Sequence, residues 1–455
     1  MEILFEQKID DILVDAKKFD AENILNILQK ALLKHGLDME EVAVLLNIED
    51  DDLLQKLFEM AGKIKQEIYG NRIVLFAPLY ASDYCVNNCR YCAFHADNKS
   101  IRTKLTLTEI KEQVCILEAM GHKRLLLELG EDPTNNPIDY VVDAIRTIYD
   151  TKNGKGEIRR VNVNIAATTV DNYKKLKDAG IGTYQLFQET YHRPTYEKLH
   201  QGPKADYDRQ ITAHERAYEA GIDDYGMGVL FGLYDYKYEV VSLIAHAKYL
   251  ENKLGVGPHT ISVPRFNQAV TVNLKNGYAV SDKDFLKIIA IIRLAVPYTG
   301  MIISTRENSK IRRQAFHIGI SQASAGSKTS PGGYGKESVG PEQFSVHDHR
   351  SLDEIISDIC ALDYVPSFCT ACYRSSRTGE NFMSLAKEFE IHKFCQPNAI
   401  ATLQEYLIDY ASDETRKIGD KLIQKEIDKI SNFETKKILI HNLEETKKGK
   451  RDLFI

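Results

Sequence analysis

The amino-acid sequence predicts an α/β fold, namely a complete (β/α)8 barrel with helices before and after it. Eight short apolar segments alternate with helical patterns across residues 71–340. The chain of 455 residues has room for such a barrel, which takes about 250 residues, and for flanking helical regions. A doubly wound open sheet is the alternative, but no G-x-G-x-x-G follows the first predicted strand, so the barrel is favoured.

The predicted elements follow in chain order. Residues 1–70 form an N-terminal helical layer. The predicted strands are Arg72–Tyr80, Lys123–Leu129, Arg159–Ile165, Thr183–Phe187, Asp224–Phe231, Thr260–Val263, Gly300–Ser304 and Gly319–Ala323. Thr106 and Glu109 have the spacing of a helix capping box, and Gly180 and Gly221 suit positions just beyond helix ends.

A segment rich in Gly and Ser, Ser324–Gly340, is predicted to leave the barrel as a loop. Residues 341–455 then form a helical C-terminal domain, in which Ser351 and Glu354 have the spacing of a second capping box. The predicted organisation is therefore a helical layer (1–70), a barrel (71–340) and a helical C-terminal domain (341–455).

Composition narrows the class of protein. Hydrophobic residues make up 43% and charged residues 27%, as in ordinary globular proteins. A net charge of −6 argues weakly against a nucleic-acid partner. No apolar run reaches the roughly 20 residues of a membrane span. The acidic, helical N-terminus is unlike a signal or transit peptide, so we expect a cytoplasmic protein without a membrane partner.

Six of the eight cysteines fall into two triplets. Cys85, Cys89 and Cys92 lie within eight residues, whereas Cys369 and Cys372 are followed by Cys395 after 22 more residues. Disulfide frameworks belong to small, cysteine-dense secreted domains, which this chain does not resemble. The two triplets therefore indicate metal binding.

The first triplet follows the first predicted strand, on a loop at the carboxyl face of the barrel, where active sites of such barrels lie. Three thiolates can hold three irons of a [4Fe–4S] cluster, which leaves the fourth iron open to a further ligand. The alternative is a zinc site completed by His95. Spacing and strand context favour the iron–sulfur interpretation.

The second triplet is ambiguous on spacing alone. A C-x2-C pair can belong to a zinc site, a redox dithiol or a cluster, and the third cysteine favours a cluster or zinc. His392 is the candidate fourth ligand of zinc. Cluster and zinc are about equally favoured by the spacing.

The motif C-x3-C-x2-C, with Tyr91 before its last cysteine, resembles the signature of radical S-adenosylmethionine (SAM) enzymes. The resemblance implies that the open iron chelates SAM and that an electron cleaves SAM to a 5′-deoxyadenosyl radical. It also implies that Tyr91 lies against the adenine, that Glu131 accepts a hydrogen bond from the SAM amino group and that Arg209 pairs with its carboxylate. The further implied SAM contacts at strand ends are Asn164, Ala166, Gln188 and Glu189.

From about residue 70 to the C-terminus the chain resembles the HydG family of [FeFe]-hydrogenase maturases. The resemblance is carried by C-x2-C-x22-C after a barrel and by stretches such as LELGEDP, VNVNIAATTV and SFCTACYR. It implies a lyase that cleaves the Cα–Cβ bond of L-tyrosine to p-cresol and dehydroglycine, and then forms carbon monoxide and cyanide on iron for the hydrogenase H-cluster. It also implies an auxiliary [4Fe–4S] cluster with a labile fifth iron at the second triplet. The implied partners are an electron donor such as a ferredoxin or flavodoxin and other hydrogenase maturases, in the cytoplasm of an anaerobe.

His259 precedes the sixth predicted strand, which puts it at the amino-terminal mouth of the barrel, opposite the first triplet. The resemblance implies that His259 binds the fifth iron, and so implies two clusters at opposite mouths with a channel between them. Without the motif, a histidine satisfied by backbone groups is the commoner interpretation.

The tyrosine site is predicted at the carboxyl face. Arg306 ends the seventh predicted strand and could clamp the substrate carboxylate, with Ser304 and Ser321 hydrogen-bonding to its polar ends. Arg265, which ends the sixth strand, is the rival for the carboxylate.

Two other functions remain in view. A related tyrosine lyase of the thiamine pathway makes the same dehydroglycine but lacks the second triplet, so the second triplet argues against it. A non-catalytic iron–sulfur scaffold or electron carrier would not need the SAM-contact residues.

Overall fold

We describe a computed structural model of the chain over residues 6–269, 271–274, 277–335, 340–375 and 377–455. Residues 1–5 of the predicted helical layer, residues 336–339 of the Gly- and Ser-rich segment, and positions 270, 275, 276 and 376 lie outside the described residues.

Within the described residues, four α-helices and a short 3-10 helix (Ala16–Lys18) precede the barrel, and the α-helices are α1 (Glu6–Asp15), α2 (Ala21–Ala31), α3 (Met39–Leu46) and α4 (Asp51–Tyr69). The barrel region contains β1 (Arg72–Ser82), α5 (Leu107–Ala119), β2 (Arg124–Leu129), α6 (Ile138–Asp150), β3 (Lys152–Asn153), β4 (Gly156–Glu157), β5 (Arg160–Asn164), α7 (Val170–Asp178), β6 (Tyr184–Gln185), α8 (Arg193–Leu199), α9 (Tyr207–Ile211), α10 (Ala213–Glu219), β7 (Tyr225–Gly228), α11 (Tyr236–Leu254), β8 (Thr260–Ser262), α12 (Asp282–Ala295), β9 (Gly300–Ile303), α13 (Ser309–Ile318) and β10 (Gln322–Ser324). The C-terminal region contains α14 (Leu352–Ala361), β11 (Val365–Ser367), α15 (Ala371–Arg374), α16 (Gly379–Lys387), α17 (His392–Asp409), α18 (Asp413–Asp428) and α19 (Phe433–Lys447).

Eight parallel strands close into a barrel in the order β1-β2-β5-β6-β7-β8-β9-β10, and β10 returns to pair with β1. Every residue of β1 is buried, as expected for a parallel strand that is covered on both faces. The short antiparallel pair β3–β4 lies outside the barrel sheet. The structure therefore confirms the predicted (β/α)8 barrel.

All eight predicted barrel strands are present, but the last one begins later than predicted. Gly319 closes the end of α13 by donating its N–H to the Ala315 carbonyl, so the regular strand starts at Gln322 and ends at Ser324. The capping boxes at Thr106 and Ser351 are both confirmed.

Strand β11 was not predicted, because three residues with a central Pro366 give no periodic signal. It pairs in parallel with the first three residues of β1, from Arg72 to Val74. The C-terminal region thus extends the barrel sheet and brings its cysteines to one mouth of the barrel.

The N-terminal helices cover one side of the barrel. Helix α12 is buried from Phe285 to Ala295, since α4 packs on its outer face and the barrel lies on its other side. None of the helices in the described part of the chain combines the length and the hydropathy of a transmembrane span.

Candidate functional site

A cavity opens at the carboxyl ends of the barrel strands, with a volume of about 1400 Å³ that includes the solvent-filled space at its mouth, and we call it the upper cavity. Most of the residues predicted for SAM and substrate binding line it, because they follow strands that end at this mouth. These lining residues are Cys85, Cys89, Cys92, Tyr91, Glu131, Asn164, Ala166, Glu189, Ser304 and Arg306.

The first triplet lies on the loop after β1, and all three of its thiols are free. Burial raises the pKa of Cys89 well above its usual value and that of Cys92 to about 12, so a metal would have to displace their protons on binding. His95 does not line the cavity, and its Nδ1 lies 2.7 Å from the Cys92 carbonyl oxygen. The geometry therefore gives no support to His95 as a fourth zinc ligand.

Glu131 and Arg209 meet at the rim of the upper cavity. Arg209 donates from Nη2 to Glu131 Oε1 at 2.5 Å, and Asn87 donates from Nδ2 to Glu131 Oε2 at 2.6 Å. Glu131 follows β2 and Arg209 lies in α9, so two separate connections of the barrel supply the pair. The structure brings the two predicted residues together, and each neutralises the other.

Glu189 enters the cavity from the turn after β6, and Lys204 is its partner. Lys204 Nζ donates to Glu189 Oε1 at 2.7 Å, and the Lys204 backbone N–H donates to Asn87 Oδ1 at 2.8 Å. Burial by itself lowers the pKa of Lys204, but the Glu189 carboxylate reverses this and raises it. Sequence reasoning missed Lys204, since a lone lysine in a loop carries no periodic or motif signal.

Tyr91 is buried between the first triplet and the chain after β7. Its hydroxyl lies 2.9 Å from His200 Nε2, and its ring packs in a cluster with Cys89, Leu199 and Leu230. The ring thus forms a fixed apolar part of the cavity wall.

Gln188 is not brought to the upper cavity. It lies behind the barrel wall near Gln210 and His214, and its Nε2 has no hydrogen-bond partner among the described residues. Both residues lie beyond the end of β6, and the left-handed backbone of Glu189 accompanies the change of direction, so Gln188 and Glu189 do not share the site.

Two of the four residues predicted for tyrosine binding also lie elsewhere. Ser321 precedes β10, and its Oγ accepts a hydrogen bond from the Met301 N–H at 3.1 Å, while Ser324 takes the cavity position. Arg265 donates from Nε to Glu307 Oε1 at 2.9 Å and from Nη1 to the Val280 carbonyl at 3.1 Å, so its guanidinium is held in the wall.

Arg306 does line the upper cavity, together with Ser304. Its guanidinium carbon lies 3.4 Å from the centre of the Phe344 ring, which is a cation–π contact.

Sequence reasoning missed the cavity residue Glu128, whose pKa is raised to about 7 by burial. Glu128 stands within the apolar strand sequence RLLLEL, which concealed it.

The second triplet lines another cavity at the amino ends of the strands, with a volume of about 560 Å³ that includes solvent-filled space at its mouth, and we call it the lower cavity. Cys369 follows β11, Cys372 lies in α15 and Cys395 lies in α17. A hydrogen bond from the Cys372 thiol lowers the pKa of Cys395 to about 6, and Arg72 adds to this shift. His392 does not line the cavity, so nothing in its position supports a zinc site that includes it.

Three arginines, Arg72, Arg124 and Arg377, also line the lower cavity. The Nε of each is buried and has no hydrogen-bond partner in the described part of the chain. Such a cationic lining fits a group that carries negative charge, as thiolate-bound iron does. Among the residues that the structure describes, no three His, Cys, Asp or Glu side chains are grouped so as to hold a single metal ion.

His259 lines the lower cavity from the segment before β8, as predicted. Its ring lies against Phe382, with ring centres 4.3 Å apart, and its Nδ1 is 3.5 Å from Asp224 Oδ1 without hydrogen-bond geometry. No backbone group satisfies Nδ1, so this ring atom does not follow the commoner interpretation of a histidine satisfied by backbone groups.

Comparison with known proteins gives the family. The Radical SAM superfamily model matches residues 79–247, and the Biotin and Thiamin Synthesis associated domain matches residues 262–365. A crystal structure of HydG, a maturase of the [FeFe]-hydrogenase, is 57% identical, covers 100% of both chains and superposes with a TM-score of 0.98. The chain belongs to the HydG family. The HydG structure from Carboxydothermus hydrogenoformans is 40% identical over 97% of this chain and 98% of that one, with a TM-score of 0.86.

The HydG family places the protein among radical SAM enzymes of hydrogenase maturation. Radical SAM enzymes bind a [4Fe–4S] cluster and SAM, and the three thiols of the upper cavity fit that cluster. A further relative is the 2-iminoacetate synthase of Salmonella typhimurium, 28% identical over 74% of this chain and 88% of the relative.

Proposed function

We propose that the protein is a tyrosine lyase that cleaves the Cα–Cβ bond of L-tyrosine to p-cresol and dehydroglycine, and then forms carbon monoxide and cyanide on iron at the second triplet. The observation that carries the proposal is the presence of a thiol triplet at each mouth of one closed barrel. The similarity to a 2-iminoacetate synthase supports the first half, because 2-iminoacetate is dehydroglycine.

In the upper cavity, Cys85, Cys89 and Cys92 would hold the cluster. When bound, a reduced cluster with SAM supplies the 5′-deoxyadenosyl radical. Glu131 and Arg209 would exchange their mutual ion pair for the amino and carboxylate groups of SAM, which preserves the charge balance of both side chains. Tyr91, Asn164, Ala166 and Glu189 line the same volume and enclose the remainder of SAM.

The tyrosine substrate would lie deeper in the upper cavity. Arg306 binds its carboxylate, because the Phe344 ring fixes the guanidinium plane while leaving its N–H groups available. Ser304 lies on the same turn and adds a hydrogen bond to a polar group of the substrate. An apolar cluster of Phe76, Leu126 and Ile302 forms the wall that would exclude water from the substrate ring.

In the lower cavity, Cys369, Cys372 and Cys395 would hold an auxiliary [4Fe–4S] cluster. His259 would bind the additional iron that becomes the product, since its buried Nδ1 is available and its pKa is lowered by burial, which keeps the ring neutral. The iron that carries carbon monoxide and cyanide would pass to other hydrogenase maturases, and a ferredoxin or flavodoxin would supply electrons. The site of all these steps would be the cytoplasm.

Anaerobic reconstitution with iron, sulfide, SAM, dithionite and L-tyrosine tests the proposal. We expect p-cresol by chromatography, and carbon monoxide and cyanide by trapping assays. p-Cresol without carbon monoxide would favour a lyase of the thiamine-pathway type instead. Absence of SAM cleavage from a fully loaded enzyme would favour an iron–sulfur scaffold or electron carrier.

The double variant Cys369→Ser/Cys372→Ser separates the two halves of the proposal. We expect p-cresol to form at a rate close to that of the wild type, while carbon monoxide release stops, because the second triplet is remote from the upper cavity. The matched control is Cys360→Ser, which changes a buried cysteine outside both cavities. Continued carbon monoxide release from the double variant would contradict the role of the second triplet.

A further inference from the structure

Three glutamates line the upper cavity, and two of them already have cationic partners. Glu131 is paired with Arg209 at 2.5 Å, and Glu189 is paired with Lys204 at 2.7 Å. Glu128 is the third, and it forms no ion pair with any residue that the structure describes. A half-buried carboxylate without a cation is costly, so the position calls for a ligand that supplies positive charge or hydrogen bonds.

Glu128 stands in a polar row that crosses the barrel at the level of the cavity. Its Cα is paired with that of Tyr80 on β1 and with that of Asn164 on β5. The Tyr80 hydroxyl donates to Gln343 Oε1 at 2.7 Å and also lies within hydrogen-bonding reach of Glu128, so the partner that this strand offers to Glu128 is neutral. Burial raises the pKa of Glu128 to about 7, because the cost of desolvation outweighs the opposing effects of a hydrogen bond with Tyr80 and of the nearby Arg306 charge.

Arg306 is the complementary case. It lines the same cavity, lies close enough to Glu128 to lower the pKa of that carboxyl, and forms no ion pair of its own within the described ranges. The upper cavity thus presents one unpaired anion and one unpaired cation beside the apolar cluster of Phe76, Leu126 and Ile302. An α-amino acid with a large apolar side chain has the matching ammonium, carboxylate and hydrocarbon groups.

We propose that Glu128 binds the α-ammonium group of the substrate amino acid while Arg306 binds its carboxylate. The inference rests on the proposed function in taking L-tyrosine as that amino acid. The ammonium and carboxylate groups are both attached to the substrate Cα, so charged contacts to both groups fix the orientation of the substrate. Glu128 is therefore a positioning residue that sets the direction of the Cα–Cβ bond. A contact from Glu128 to the phenol hydroxyl is the competing arrangement.

Ligand binding without turnover tests the inference. The cluster-loaded enzyme, kept oxidised and saturated with SAM, is titrated calorimetrically with L-tyrosine and with 3-(4-hydroxyphenyl)propanoate, which lacks the amino group. For Glu128→Gln we expect the Kd for L-tyrosine to rise by about 10- to 100-fold and the Kd for the deaminated acid to change less than about twofold. For Arg306→Gln we expect both ligands to weaken.

Controls separate charge from folding. Glu118→Gln changes a buried glutamate on α5 that does not line the cavity, so both Kd values should equal those of the wild type. The affinity of Glu128→Gln for SAM should match that of the wild type, and its melting temperature should not fall below that of the wild type. Unchanged L-tyrosine binding in Glu128→Gln overturns the inference, and so does an equal loss for both ligands, which would place the contact at the phenol.

The two proposals fail in different ways. If the wild type binds L-tyrosine and releases p-cresol while Glu128→Gln binds it equally well, only the role of Glu128 is wrong. If the wild type binds a different L-amino acid, with a selective loss in Glu128→Gln, tyrosine is wrong and the ammonium contact stands. If the wild type binds no amino acid, both proposals are overturned.

Discussion

At the residue scale, Glu189 has a backbone φ of +69°, in the left-handed region that non-glycine residues rarely adopt. Glu189 lies four residues after the end of β6, and its carboxylate reaches Lys204 in the upper cavity while Gln188 lies behind the barrel wall. Strain of this kind persists where surrounding contacts over-determine it, and it is frequent at functional sites. The ion pair between Glu189 and Lys204 therefore helps to define the shape of the upper cavity.

Arg306 is the residue on which substrate binding depends most. We expect Arg306→Ala to abolish p-cresol formation, because the substrate carboxylate loses its bidentate partner, while basal SAM cleavage remains measurable. Arg306→Lys should recover only a small part of the activity, since an ammonium cannot form the planar two-bond contact. Chromatography of p-cresol and of 5′-deoxyadenosine measures both reactions. Retained p-cresol formation in Arg306→Ala would contradict the assignment of Arg306 to binding of the substrate carboxylate.

The hydrogen-bond partners of Arg265 and Arg306 show which of the two arginines faces the upper cavity, a question that the sequence alone left open. Arg265 and Arg306 both follow barrel strands, so sequence reasoning had to treat them as rivals. The distinction lies in Glu307, which holds Arg265 in the wall and leaves Arg306 facing the cavity. By contrast, the thiol triplets were predictable because spacing and position after a strand are properties of the sequence itself.

At the element scale, a buried charge network joins α13, the chain before α14, and α14 itself. Asp348 accepts hydrogen bonds from Arg312 at 2.5 Å and from Arg350 at 2.8 Å, and Arg350 and Arg313 both bind Asp358. Burial alone raises the pKa of Asp348, but Arg350 and Arg312 outweigh it, so the pKa is lowered. The network fixes the exit of the chain from the barrel.

This network predicts an acid-sensitive stability. A carboxyl with a lowered folded pKa contributes stability above its unfolded pKa, and the contribution disappears as the pH falls through the folded pKa. The unfolding free energy should therefore fall as the pH drops below about 4. At pH 7, Asp348→Asn should lose about 3–5 kcal/mol, because the fully buried Arg312 is left without its partner.

Denaturant unfolding at pH 7 and at pH 3.5 measures both effects of Asp348→Asn, which should also flatten the acid dependence. Asp143→Asn is the control, since Asp143 forms an exposed pair with Arg146 that is worth at most about 1 kcal/mol. An equal loss of stability in the two variants would contradict the role of the network.

The ends of helices and strands were predictable only where a local sequence signal marks them. The capping boxes at Thr106 and Ser351 predicted the starts of two helices, and both were confirmed. The start of β10 and the existence of β11 depend on hydrogen bonds to distant β1, and Pro366 gives the short β11 no strand-like signal of its own. Long-range pairing of this kind leaves no trace in local periodicity.

At the scale of the whole molecule, the two cavities share the axis of the barrel. Along β1, Arg72 and Val74 line the lower cavity, whereas Phe76, Pro78 and Tyr80 line the upper cavity. Every second residue of β1 faces the barrel interior, as the two-residue period of a strand requires. The first of these residues line the lower cavity and the later ones line the upper cavity. A channel from one triplet to the other, which the sequence resemblance implied, would run along the barrel axis past Val74 and Phe76.

Narrowing this passage should uncouple the two halves of the proposed reaction. In Val74→Phe the added ring occupies the space between the cavities, so we expect p-cresol formation to continue and carbon monoxide and cyanide to fall by about tenfold. Val14→Phe, at an exposed position of α1, is the size-matched control. Trapping assays for carbon monoxide and cyanide measure the effect. Unchanged carbon monoxide release would mean that dehydroglycine, or a product of its breakdown, reaches the second triplet by another route.

The pairing of β11 with β1 has a consequence for biogenesis. The strand that begins at Arg72 is synthesised long before Val365–Ser367, its outer partner, and before β10, which closes the barrel. Contacts so distant along the chain form late and slowly. The loop of the first triplet hydrogen-bonds to Leu199, Gln201 and Gln343, so its conformation, like that of the second triplet, is complete only after most of the chain has been synthesised.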